Sequence, residues 1–123
     1  MTYNEFNTFC DSLAVTSHVV QWGHSHVWKV SDKVFAIGGW QKTASPAFTF
    51  KVSEISFEIL KDLPGLRPAP YFASRGMSWI QHYDEPGLPN DELKEYILES
   101  HRILSLGFSK KKRKSLGLYS NEL

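Results

Sequence analysis

The chain has 123 residues, of which 41% are hydrophobic, 22% charged and 14% aromatic, with a formal net charge of +1. That length accommodates one domain with its own apolar core, and the composition excludes a largely disordered chain. The single cysteine, Cys10, rules out an intramolecular disulfide; with no secretory leader pattern and no bilayer-length apolar stretch, a cytoplasmic protein without membrane association is expected.

Residues 2–14 read as a helix. Thr2 and Glu5 have capping-box spacing, and Phe6, Phe9, Cys10 and Leu13 recur on one apolar face, so Cys10 is read as a core thiol. A short strand at His18–Val20 precedes a turn at Trp22-Gly23-His24. Residues 26–30 and 33–38 form a hairpin closed by Ser31-Asp32. A two-residue loop sets Trp28 opposite Phe35, with Trp28, Phe35 and Ile37 on one face and Val27, Lys29, Val34 and Ala36 on the other. A further strand spans 47–52, pointing Phe48, Phe50 and Val52 inward and Thr49 and Lys51 outward.

Ser53 caps a short helix at 54–62. The proline-rich stretch 64–76 is extended and not helical, 77–83 is a strand, and a turn follows at Asp84–Gly87. The last helix starts near Pro89-Asn90-Asp91-Glu92 and runs to about Leu106, with Leu93, Tyr96, Ile97, Ser100 and Leu104 as its buried stripe. Residues 1–108 therefore read as one domain, and 109–123 as a basic C-terminal extension, partly helical and then frayed. Strands joined by hairpins build an antiparallel sheet, and amphipathic helices must cover its apolar face. The fold class is α+β, a two-layer sandwich with helices on one face. Trp22, Trp28 and Trp79 are read as core or near-core anchors.

Three runs carry a resemblance. Gln21-Trp22-Gly23-His24 leads into His26-Val27-Trp28-Lys29-Val30 and Lys33-Val34-Phe35-Ala36; Leu66-Arg67-Pro68-Ala69-Pro70-Tyr71 precedes Trp79; Leu88-Pro89-Asn90-Asp91-Glu92-Leu93 opens the long helix before Lys111-Lys112-Arg113. In order and spacing this resembles the MmcQ/YjbR family over nearly the whole chain. The resemblance implies a CyaY-like fold and DNA binding through sheet hairpins described as a double wing.

Charge placement bears on that expectation. Residues 110–123 hold five basic side chains and one acidic, a balance of +4, against nine and twelve, a balance of −3, in residues 1–109. Within the body, 17–53 holds Lys29, Lys33, Lys42 and Lys51 against Asp32, and 63–83 holds Arg67 and Arg75 with no acid. Those six cations on an open sheet face are the candidate phosphate contacts, with Trp40 or Tyr83 available to stack on unpaired bases. Solubility alone also accounts for scattered lysines, and the pI of about 7.9 is low for a duplex binder.

The run Lys110–Lys114 reads as a solvated tail, with a phosphate contact or a nuclear signal in a eukaryotic source as the alternatives. Arg67, in a stiff proline-flanked segment, is read as bonding to carbonyls or a carboxylate, with an anion or partner contact as the alternative. His24 and His26 stand two apart and on a strand would face one side, but they lack further ligands at metal spacing and read as hydrogen-bonding groups. No nucleophile–base–acid arrangement, phosphate-cradling glycine loop or dinucleotide fingerprint is present, so no catalytic residue, metal or cofactor is expected. The functional alternative to a monomeric DNA-binding module is a non-catalytic protein-interaction adaptor.

Overall fold

The computed structural model describes residues 1–119. In chain order these form α1 (Tyr3–Asp11), β1 (Thr16–Gln21), β2 (Ser25–Val30), β3 (Lys33–Gly38), β4 (Phe48–Lys51), α2 (Glu54–Leu60), β5 (Leu66–Pro68), β6 (Trp79–His82), α3 (Asn90–Leu106) and α4 (Lys110–Leu116). The six strands make one antiparallel sheet in the order β1-β2-β3-β4-β6-β5. The expected two-layer α+β architecture is present.

The local signals act as read. Thr2 and Glu5 form a reciprocal capping box at α1, and the Ser53 side chain accepts from the Ser56 N–H at α2. Helical residues Phe6, Cys10, Leu60, Leu93 and Ile97 pack with Trp28, Val30, Phe48, Phe50 and Ile80 from the sheet into one core. Cys10 is fully buried there, and burial pushes its thiol far up from the ordinary range.

The hairpin departs from the expected register. Val30 faces Lys33 and Lys29 faces Val34, but Trp28 then pairs with Ala36, because Phe35 is the extra residue of a β-bulge. The bulge sends two consecutive residues, Phe35 and Ala36, into the helix-side core. Ile37 consequently shares a face with Val27, not with Trp28.

A helix side chain repairs the ladder at this point. The Ser100 hydroxyl of α3 donates to the Phe35 carbonyl at 2.6 Å and accepts from the Lys51 N–H at 2.9 Å. It thus bridges Phe35 and Lys51, the next residues beyond the Ala36–Phe50 pair that ends the β3–β4 ladder.

The second face is not open, as the sequence reading expects. Val27, Ile37, Thr49 and Gln81 on that face are fully buried. The segment between β3 and β4 and the connection from β5 to β6 fold over them: Phe72 stacks on Trp79 with centroids 4.3 Å apart, and Trp40 meets Phe72 edge-on at 5.2 Å. Thr49, expected to point outward, lies under this cover.

The basic segment is an ordered part of the fold. Ser109 caps α4, Arg113 turns inward, and Leu118 joins the core. The frayed end expected beyond it falls on residues 120–123, outside the described residues. Among the described residues no helix is long and apolar enough to cross a membrane.

Candidate functional site

Antiparallel register lines up side chains in rows across the sheet. On the face away from the helices one row runs Val19, Val27, Ile37, Thr49, Gln81 and Arg67. Its first members are apolar; Val19 at the edge is exposed, while Val27 and Ile37 lie beneath the covering segments. Its far end is polar, and there a cleft opens.

Gln81 organises that end. Its amide nitrogen donates to the Trp40 carbonyl and the Thr49 hydroxyl, each at 3.2 Å. Its carbonyl oxygen accepts from Nε and Nη2 of Arg67 at 2.9 and 2.7 Å. The guanidinium also lies 4.2 Å from the centroid of the Tyr83 ring. Two fixed donors and a ring leave it little rotational freedom. No carboxylate stands within ion-pair distance of Arg67 among the described residues. Its remaining donors are therefore available to a ligand.

The cleft has a volume of about 710 Å³ and is lined by Trp22, Trp40, Lys42, Arg67, Tyr83 and Asp84, among others. An adjoining hollow is walled by Trp22, Trp40, Tyr71 and Phe72. Trp22 and Trp40 lie 6.0 Å apart, centroid to centroid, tilted by 35°. Trp22 is 48% exposed and Tyr71 57%. The roof is thus faced with aromatic rings that are not spent on the core.

The backbone holds these rings in unusual conformations. Trp22, Trp40 and Tyr71 have φ of 52°, 65° and 72°, in the left-handed region. For a bulky residue this costs on the order of 1 kcal/mol or more each, and such strain concentrates at binding sites. The setting is local: Trp22 and Tyr71 sit in turns, between β1 and β2 and after Pro70, and Trp40 lies in irregular chain just after Gly38-Gly39.

The six candidate cations separate by face. Lys42 and Arg67 line the cleft, and the Arg75 guanidinium lies 5.5 Å from the Tyr71 ring centroid beside it. Lys29 and Lys51 share the same sheet face as Arg67, by register with Ser17 and Trp79. Lys33 does not join them. It pairs with core-facing Val30, and its ammonium sits 4.6 Å from the Phe108 ring on the helix side. Of the aromatics singled out for stacking, Trp40 and Tyr83 both line the cleft.

Trp22 and Tyr71 escaped the sequence reading. Trp22, read as a core or near-core anchor, is exposed, whereas Trp28 and Trp79 are buried. A turn-forming Trp-Gly pair was the available signal, since a ring at a turn tip has no second layer to bury it.

The histidines behave as hydrogen-bonding groups. His24 is an exposed turn residue with φ of 69°, so it does not share a strand face with His26. His26 Nδ1 instead lies 3.1 Å from His18 Nε2 and 3.4 Å from Asn7 Nδ2. The Asn7 carbonyl accepts from the Trp28 indole, so its NH₂ must face the imidazole. Among the described residues no three His, Cys, Asp or Glu side chains gather as a metal site.

Comparison with known proteins gives the lineage. The family model described as YjbR matches residues 11–103. The crystal structure of Deinococcus radiodurans protein DR2400, a DUF419 domain, superposes with a TM-score of 0.82 at 20% identity, covering 97% of this chain and 90% of that one. A protein from Pseudomonas syringae superposes with a TM-score of 0.66 at 19% identity, covering 84% of this chain and 98% of that one. At these identities the likeness is one of fold. A search of curated proteins finds no match. Matched by the family model over most of its length and built on the expected fold, this chain belongs to the YjbR family.

Proposed function

We propose that this protein binds DNA, with unpaired bases entering the aromatic cleft and the phosphate backbone running along its cationic border. The observation that carries the reading is the joint placement of strained Trp22, Trp40 and Tyr71 around a pre-oriented Arg67 that has no carboxylate partner among the described residues. Aromatic faces stack on any base, each contact being worth about 1–3 kcal/mol, and lysines and arginines release counterions from phosphate.

Lys42, Arg67 and Arg75 border the aromatic surface, while Lys29 and Lys51 extend the positive field along the same face. The acidic residues of α3, Glu92, Glu95 and Glu99, belong to the helical layer on the other side of the sheet. At the cleft itself Asp84 is the one acid among the described lining residues, against Lys42 and Arg67. The apolar cover over the sheet favours single strands over a duplex laid across an open face. Trp22, at the tip of the β1–β2 hairpin, makes that wing a stacking wall.

Fluorescence anisotropy with a labelled oligothymidylate and a matched duplex tests the proposal. Expected is saturable single-strand binding that weakens steeply with salt and loses about tenfold or more in Trp40→Ala. Absence of binding in dilute buffer, or binding indifferent to salt and to Trp40, refutes it.

A protein-docking reading has its own support in Ile55 and Ile59, 76% and 61% exposed one turn apart on α2. A polypeptide retained through high-salt washing and lost in an Ile55→Glu/Ile59→Glu variant favours that reading.

A further inference from the structure

The two edges of the sheet are treated differently. β5 is blunted: it has three residues, ends in Pro68, and continues into Ala69-Pro70. Proline offers no donor, so little ladder can be added there. β1 has no such protection. Its six residues, Thr-Ser-His-Val-Val-Gln, include no proline, glycine, lysine, arginine or carboxylate, and the inner four are exposed. β2 satisfies its inner side, and no other backbone group of the described residues bonds to Ser17–Gln21 from outside.

We infer that β1 pairs antiparallel with β1 of a second copy of this chain. Pairing centred on Val19 sets Val19 opposite Val19 of the second copy and Val20 opposite its His18, covering both valines, now 38% and 51% exposed. An uncharged strand brings no like charges together across the twofold axis, so self-pairing carries no electrostatic penalty. A foreign strand would draw specificity from pockets flanking the edge, and none of the described clefts is lined by residues 16–21. The blunted β5 edge stops further addition, so the assembly closes as an isologous dimer and does not grow into a fibre.

Antiparallel pairing within one sheet places the twofold axis perpendicular to that sheet. The same face of both copies then looks the same way. The two aromatic clefts open on one side of a doubled sheet, towards opposite ends of the paired β1 strands, where a single long ligand can reach both.

Sedimentation velocity from low micromolar to millimolar concentration provides the test. The chain is expected to pass reversibly from monomer to dimer, and Val19→Lys to weaken the dimer at least about tenfold by placing like charges across the axis. Ile55→Lys, a comparable change on α2, is expected to leave the dimer intact, and circular dichroism melts confirm that each variant is folded. Amide exchange in β1 slows on dimerisation. A wild-type monomer at millimolar concentration, or a dimer indifferent to Val19→Lys, overturns the inference. Neither result bears on DNA binding, which is read separately by anisotropy.

Discussion

Arg67 is held before any ligand arrives, by Gln81 along one edge and Tyr83 beneath. Lysine keeps the charge but loses the planar fork and the ring contact. Arg67→Lys is therefore expected to weaken oligonucleotide binding about tenfold, measured by anisotropy, while a merely electrostatic role would leave it nearly unchanged. Histidines supply a second prediction at this scale. Desolvation pushes His26, His82 and His101 below the ordinary imidazole value, assisted at His26 by neighbouring His18, and opposed at His101 by its bond to the Ala14 carbonyl. Unfolded histidines titrate near about 6.5, so as pH falls the unfolded chain takes up protons first. Stability is thus complete above that value and declines as pH falls through it towards the lower folded pKa values. Urea unfolding at neutral pH and at mildly acidic pH should show the midpoint falling with acidification; a flat profile would contradict the assignment. The sequence made Arg67 visible through its proline neighbours, but not its partner. Gln81 lies in a different strand, and only register brings the two side chains into one row.

Ser100 shows how elements correct one another. Its hydroxyl stands between Phe35 and Lys51, just past the Ala36–Phe50 pair where the β3–β4 ladder ends. Ser100→Ala leaves a carbonyl and an N–H without partners and is expected to cost about 2–4 kcal/mol, measured by chemical denaturation. Loss of the Thr2 cap at the opposite end of the chain is milder, about 1 kcal/mol for Thr2→Ala. Element type and order were legible because capping residues, helical periodicity and a two-residue hairpin loop are local signals. The bulge was not: strict alternation from Ser31-Asp32 predicts Trp28 opposite Phe35, and an inserted residue leaves no local mark. The cover over the second face was equally hidden, since Trp40 and Phe72 lie in segments whose glycines and prolines signal only irregular backbone.

Across the whole molecule, the sheet divides positive side chains into two groups. Lys42 borders the cleft, whereas Lys33 is spent on Phe108, which also receives Lys112 at 4.2 Å. Charge reversal should separate them: Lys42→Glu weakens DNA binding severalfold and reduces its salt dependence, whereas Lys33→Glu changes affinity by less than about twofold. Equal losses at both positions would mean that only net charge matters. Chain order could not reveal this division, because Lys33 and Lys42 belong to one positive segment and part only when alternation in β3 turns one towards the helices. The four tryptophans are divided in the same way, with Trp28 and Trp79 buried on opposite faces of the sheet and Trp22 and Trp40 at the cleft. The protein therefore carries two separate optical signals of its own: a collisional quencher dissolved in the buffer reaches the cleft indoles first, while the sheltered pair continues to emit until the fold opens. Ligand occupancy and unfolding can be followed in one cuvette without attaching a dye.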